Sequence, residues 1–188
     1  MWWAQLLNTI SAFLGSGASG GGGSYESIAT TTAAGGETSI TFSSIAGTYA
    51  SLQIRGIMQR NAAAAMNLAF RFNSDTGANY ASHWLYGDGA TVTATGASAA
   101  TYALSVEMPS NTANTLGAFI TDIHDYASTT KNKTIRTFGG YDKNGSGKSQ
   151  LNSGLWVSTA AVTSVTLYFL GDALAAGSTF ALYGIKGA

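Results

Sequence analysis

The chain has 188 residues, no cysteine, and nine basic residues that balance nine acidic ones. Charged residues make up only 10% of it, against about 25% in ordinary domains. The absence of cysteine excludes disulfides and cysteine-ligated metal sites. The low charge disfavours nucleic-acid binding, which needs a dense basic patch. A surface so poor in charge is typical of a protein that is partly covered by its neighbours.

Residues 1–14, MWWAQLLNTISAFL, have no charged side chain, and their apolar residues follow the i, i+3, i+4 spacing of a helix. A helix of this length spans roughly 20 Å, which is too short to cross a bilayer, and alone in water it is marginal. We therefore expect no membrane insertion and a short N-terminal helix that docks on a partner protein. The docking side chains would be Trp2, Trp3, Leu6, Leu7, Ile10, Phe13 and Leu14. The alternative is that this helix folds back on its own domain.

Residues 15–24, GSGASGGGGS, have the composition of a flexible linker. From residue 25 to residue 188 the pattern is typical of one β domain, with Gly, Asn and Asp in the turns. Alternation places Leu68, Phe70 and Phe72 on one strand face, and Val165, Leu167 and Phe169 on another. The predicted strands lie near 38–42, 50–58, 66–73, 80–86, 101–108, 116–126, 133–139, 150–157, 162–170 and 178–186. Many short strands in one chain predict an all-β fold, an antiparallel β-sandwich of jelly-roll-like form.

Two turn sequences imitate ligand-binding motifs. Residues 145–149, GSGKS, imitate the end of a phosphate-binding loop, but position 142 is Asp where the full motif needs Gly, and a strand follows where it needs a helix. Residues 142–147, DKNGSG, resemble a calcium loop that lacks its final acid, since Ser153 stands there. We expect a polar hairpin turn and neither a cofactor nor a metal.

The only two histidines, His83 and His124, have no catalytic spacing signature. Asp122 and Asp125 flank His124, and a His–carboxylate pair could orient a base. The one G-x-S-x-G sequence, at residues 17–21, lies in the Gly-rich linker and not between a strand and a helix, so it does not predict an activated serine. We therefore expect no enzymatic activity and no catalytic residue.

Several aromatic residues are predicted near strand ends and exposed: Tyr80, Trp84, Tyr86, Tyr126, Tyr141 and Trp156. Aromatic faces beside Asp and Asn can stack on sugars. Tyr80, Trp84, Tyr86 and Tyr141 are therefore candidate contacts for a host-surface glycan. We favour the alternative, in which these rings lie in the core or in contacts between subunits.

Short segments of the chain resemble a family of small jelly-roll-like β domains in structural proteins of tailed phages, including phages of cyanobacteria. The segments are 25–30 (YESIAT), 52–57 (LQIRGI), 71–89 (RFNSDTGANYASHWLYGDG), 117–126 (GAFITDIHDY), 133–147 (KTIRTFGGYDKNGSG), 154–159 (GLWVST) and 178–186 (STFALYGIK). The resemblance covers nearly all of residues 25–188. It carries no catalytic motif.

The resemblance implies a virion structural protein on the outside of the phage particle. We expect a tail fibre or spike module, attached to other virion proteins through residues 1–14 and associated as a homo-oligomer, a trimer by analogy with such domains. The alternatives are a capsid decoration or head-fibre protein, and a host-surface carbohydrate-binding module.

Overall fold

The structure, a computed structural model, describes residues 23–187 and contains twelve β-strands and no helix within them. The predicted N-terminal helix and its docking residues lie outside the described residues. The strands are β1 (Tyr25–Thr32), β2 (Ser39–Phe42), β3 (Ser51–Met58), β4 (Met66–Phe72), β5 (Tyr80–Gly87), β6 (Val92–Ala100), β7 (Ala103–Met108), β8 (Gly117–His124), β9 (Lys133–Asp142), β10 (Gly147–Trp156), β11 (Val165–Phe169) and β12 (Thr179–Ile185).

These strands form two antiparallel sheets. The large sheet has eight strands in the order β1-β12-β3-β8-β9-β10-β5-β6, and the small sheet has four in the order β2-β11-β4-β7. Every pair of neighbouring strands is antiparallel. The predicted all-β, antiparallel sandwich is therefore confirmed.

The core lies between the two sheets and follows from the alternation of the strands. All six core residues predicted from the sequence are buried: Leu68, Phe70, Phe72, Val165, Leu167 and Phe169. Phe72 of the small sheet packs 5.5 Å, centroid to centroid, from Trp156 of the large sheet. Tyr80 stacks on Trp156 with their ring centroids 6.3 Å apart. The backbone N–H of Phe72 donates to the Tyr80 hydroxyl at 3.0 Å. This aromatic cluster joins the two sheets.

Each of the ten strands predicted from the sequence overlaps a strand of the structure, but β1 and β6 were not predicted. Both missed strands are edge strands of the large sheet. The sequence of β6, VTATGASAA, consists of small residues with one large apolar side chain, Val92. Without an apolar alternation there is no period-2 signal, because this strand buries almost nothing.

The two faces of the large sheet differ in what covers them. The small sheet covers the inner face, and its edge strand β7 packs against β9 and β10. Along β8 and β9 the burial alternates residue by residue, so every second side chain points away from the core. No other strand among residues 23–187 packs on this outer face.

Candidate functional site: the outer face of the large sheet

The outer face of the large sheet carries a line of apolar side chains in register on neighbouring strands. Ile120 on β8 pairs with Phe138 on β9, Phe138 with Leu151 on β10, and Leu151 with Leu85 on β5. Their exposed fractions are 43%, 61%, 48% and 45% respectively. We call these four residues the outer row. It exists because four strands from separate parts of the chain place an apolar residue at the same register position.

The apolar pattern extends to one side of the outer row. Ile57 on β3 is 54% exposed and Val92 on β6 is 77% exposed. Both occupy the neighbouring register line, in which Ala118, Gly140, Ser149 and Gly87 lie between them. The small residues of that line leave space beside Phe138 and Ile120. A shallow groove of about 680 Å³ lies there, between the turns at 88–89 and 145–146.

A polar line borders the outer row on its other side. We call it the flanking row, and it consists of Gln53, Asp122, Arg136, Ser153 and His83 in register on five neighbouring strands. Gln53 Nε2 donates to Asp122 Oδ1 at 2.8 Å. Arg136 is exposed and makes no ion pair among the described residues. The flanking row therefore carries one acid and one base, on adjacent strands.

A second shallow groove, of about 610 Å³, lies where the two rows meet β5 and β6, and its lining includes His83, Leu85, Arg136 and Leu151. The ring of His83 lies across β6, because a Cβ added to Gly96 would come 2.6 Å from His83 Cδ2. The outer face thus offers a broad apolar surface with shallow grooves. It has the form of a contact surface for a macromolecule, since sites for small molecules are deeper and bury most of the ligand.

Tyr80, Tyr126 and Trp156 lie in the core. The favoured interpretation is therefore confirmed for these three rings, and the candidate glycan contact at Tyr80 is wrong. Tyr80 is 1% exposed, Tyr126 0% and Trp156 2%, because all three rings pack in the core. Burial raises the pKa of Tyr80 to about 12. Tyr80 therefore has no free face for a sugar.

The other candidate glycan contacts, Trp84, Tyr86 and Tyr141, are half-buried. The Lys148 ammonium lies 4.4 Å from the centroid of the Tyr86 ring and pairs with Glu107 at 2.8 Å. The Tyr141 hydroxyl donates to Glu107 at 2.8 Å, and burial, followed by this bond, raises the Tyr141 pKa. Tyr86 and Tyr141 are thus both engaged by protein groups. Glycan contact at these positions stays a prediction.

The motif-like turn at 142–147 is a hairpin. Asn144 N–H donates to Asp142 Oδ1 at 2.7 Å, and Lys143 N–H donates to the Ser146 carbonyl at 2.8 Å. Asn144 and Gly145 have φ of 56° and 121°, which suits a tight turn. No group of three or more His, Cys, Asp or Glu side chains in residues 23–187 could hold a metal ion.

The candidate acid–base group does not assemble around His124. Asp122 accepts from Gln53, Asp125 pairs with Lys131 at 3.0 Å, and His124 Nε2 is buried without a hydrogen-bond partner. Neither carboxylate therefore orients the imidazole in this arrangement.

No family model matches the chain, and neither a curated protein nor a solved structure matches it. No helix in the described part of the chain is long and apolar enough to cross a membrane. The function therefore has to be argued from the geometry and from the sequence.

Proposed function

We propose that the sandwich is a jelly roll with two added strand pairs. Without β5, β6, β9 and β10, the remaining eight strands keep the orders β1-β12-β3-β8 and β2-β11-β4-β7. Renumbered in chain order, these are 1-8-3-6 and 2-7-4-5, the arrangement of a long hairpin wrapped into two four-stranded sheets. The added pairs extend the large sheet beyond β8, and they carry three of the four residues of the outer row.

We further propose that the protein is a non-enzymatic structural component of a phage virion. It is a fibre or spike module on the outside of the particle, held there by residues 1–14. The observation that carries this proposal is the outer row, four apolar side chains that are each 43–61% exposed. Contiguous apolar patches of this kind mark surfaces that contact another macromolecule.

Two features of the sequence support the same proposal. Only 10% of the residues are charged, which suits a chain whose surface is covered in an assembly. The segments that resemble tailed-phage β domains span most of the sandwich. The trimer implied by that resemblance stays an expectation.

A capsid decoration protein and a host-surface glycan-binding module are the alternatives. The geometry of Tyr80, Tyr86 and Tyr141 gives no particular support to the glycan-binding alternative. A glycan array separates it from the structural role. Binding that is lost in Trp84→Ala would favour a carbohydrate-binding module, whereas no binding is the result expected for a purely structural protein.

Deletion of residues 1–14 tests the attachment. We expect a folded domain that no longer joins the particle, because burying each large apolar side chain contributes roughly 1.5–3 kcal/mol and the peptide has seven of them. The measurement is the amount of labelled protein on purified particles, with its position seen by electron microscopy.

A matched pair of variants refines this test. Trp3→Ala with Leu7→Ala should lower incorporation without changing the melting temperature, whereas Gln5→Ala with Asn8→Ala should leave both unchanged. Full incorporation of the truncated chain would show that the β domain carries the docking surface. Unfolding of the truncated chain would show that residues 1–14 belong to its core.

A further inference from the structure

The outer row is long and continuous. Arg55 on β3 and Ala94 on β6 lie at its two ends. Together with Ile57 and Val92 on the neighbouring register line, the apolar surface crosses six neighbouring strands from β3 to β6, a distance of roughly 24 Å at the usual strand spacing. Its central part, the outer row itself, has no polar residue between Ile120 and Leu85. This surface is large enough to be the apolar centre of a protein–protein contact.

The charges beside the outer row indicate what covers it. Asp122 and Arg136 lie side by side on β8 and β9, and Arg136 makes no ion pair among the described residues. A partner that presents a base near Asp122 and an acid near Arg136 would match these charges. A second copy of the face presents both.

The geometry points to a two-fold contact between two copies of this chain, in which the outer faces of the two large sheets pack against each other. A two-fold axis that runs parallel to the strands, between β8 and β9, places Asp122 of one copy opposite Arg136 of the other. The same operation places Ile120 opposite Phe138. It also places Leu151 opposite Arg55 and Leu85 opposite Ala181, so Ile120 and Phe138 form the apolar centre of the contact. Such a contact is isologous, since each copy uses the same surface, and two-fold dimers are the commonest oligomers.

The β6 edge of the sheet carries no charge that opposes this arrangement. The edge strand β6 has nine residues, none charged and none proline, and most of them are exposed. Edge strands that face water usually carry charges or proline that prevent pairing. Here neither β6 nor the outer row contains a group that repels a second copy.

Residues 1–14 are the other apolar segment that could cover the face, but they contain no charged side chain. Covering the face with them would leave Asp122 and Arg136 without counterparts. The contact between copies does not depend on the virion proposal, because it uses only side chains of the described strands. A dimer that fails to join a particle would refute the virion proposal alone.

The mass of the full chain in solution, measured by sedimentation, tests the contact. We expect two copies for the wild type, and single copies for Ile120→Glu with Phe138→Glu at the same concentration. Association should weaken at least about tenfold, since each copy then brings two carboxylates into an apolar contact. Leu116→Glu with Val157→Glu is the matched control, because those residues are 51% and 52% exposed and lie outside the outer row. The control should remain dimeric.

A monomeric or trimeric wild type would overturn the contact, and so would a double variant that keeps the wild-type mass. Phe138→Ser is a milder variant that should also weaken association, and circular dichroism checks that each variant is folded.

A photo-crosslinking residue at position 138, in a mixture of light and heavy isotopic chains, identifies the neighbour. Crosslinks to β8 or β9 of a differently labelled chain are expected. Crosslinks to residues 1–14 would refute the proposal.

Discussion

The inner and outer faces of the same strands show two uses of apolar residues. On β8 the inner Phe119 is 3% exposed and its neighbour Ile120 is 43% exposed. On β10 the inner Trp156 is 2% exposed, whereas the outer Leu151 is 48% exposed. Both faces are apolar, but within residues 23–187 only the inner one is covered, by the small sheet.

The comparison teaches that these strands are built for two contacts. A sheet with one buried face usually alternates apolar and polar residues. An apolar residue on the second face contributes nothing to the sandwich core, so it has to be explained by a contact made elsewhere. The inner face should therefore control folding, and the outer face should control association.

The largest expected effect is at the centre of the inner face. Trp156→Ala should lower the free energy of unfolding by about 3–5 kcal/mol, because it opens a cavity beside Phe72 and Tyr80. Leu151→Ala on the same strand should change it by about 0.5 kcal/mol or less in protein diluted to single copies. Urea unfolding of both variants checks this contrast. Equal losses in the free energy of unfolding would show that Leu151 on the outer face stabilises the fold as much as Trp156 on the inner face.

A buried cation on the inner face gives the next effect. Lys133 is fully buried, and its ammonium donates to the carbonyls of Ser128, Lys131 and Ser158 at 2.7, 2.6 and 3.3 Å. Lys133→Met should cost about 2 kcal/mol, because it leaves these carbonyls without their donor. The control is Lys131→Met, whose side chain is 65% exposed and whose loss should cost about 0.5 kcal/mol or less. Thermal unfolding in which both variants match the wild type would contradict this role.

The smallest effect is at Asp75, at the end of the aromatic cluster. Its carboxylate accepts from Trp156 Nε1 at 2.7 Å, from Asn79 Nδ2 at 2.9 Å and from Gly77 N–H at 2.8 Å. These bonds, the one from Trp156 foremost, lower the Asp75 pKa below its ordinary 3.8. The stabilisation is therefore present above pH 3.8 and is lost as the pH falls through the folded-state value.

Asp75→Asn should accordingly cost about 1 kcal/mol at pH 7 and nothing once the wild-type carboxyl is protonated. Unfolding measured from pH 7 downwards checks this. Parallel curves for the variant and the wild type would show that Asp75 does not bind the Trp156 indole as a carboxylate.

The sequence predicts the inner half of this molecule better than the outer half. The alternation of Leu68, Phe70 and Phe72 identifies a core strand, because burial on one side imposes period 2 on the residues. The outer row leaves a weaker trace, adjacent apolar residues such as Phe119-Ile120. Seeing it as one surface also requires the register between β5 and β10, which are far apart in the chain. Pairings of that kind are fixed by the tertiary fold.

The buried aromatic residues also show what the sequence alone does not predict. From the sequence, Trp156 and Tyr80 could lie at exposed strand ends or in the core, and the structure places both in the core. The feature that decides their position is the pair of hydrogen bonds that satisfies their polar atoms there, from Trp156 Nε1 to Asp75 and from the Phe72 N–H to Tyr80. Composition and spacing do not reveal such partners.

The central claim is that the inner face controls folding and the outer face controls association. The melting temperature as a function of protein concentration tests this claim most directly. Association through the outer face stabilises the folded chain by mass action, so the wild-type melting temperature should rise with concentration. For Ile120→Glu with Phe138→Glu it should stay constant and equal the value that the wild type approaches on dilution. A wild-type melting temperature that does not change with concentration, or a double variant that follows the wild-type curve, would contradict the account.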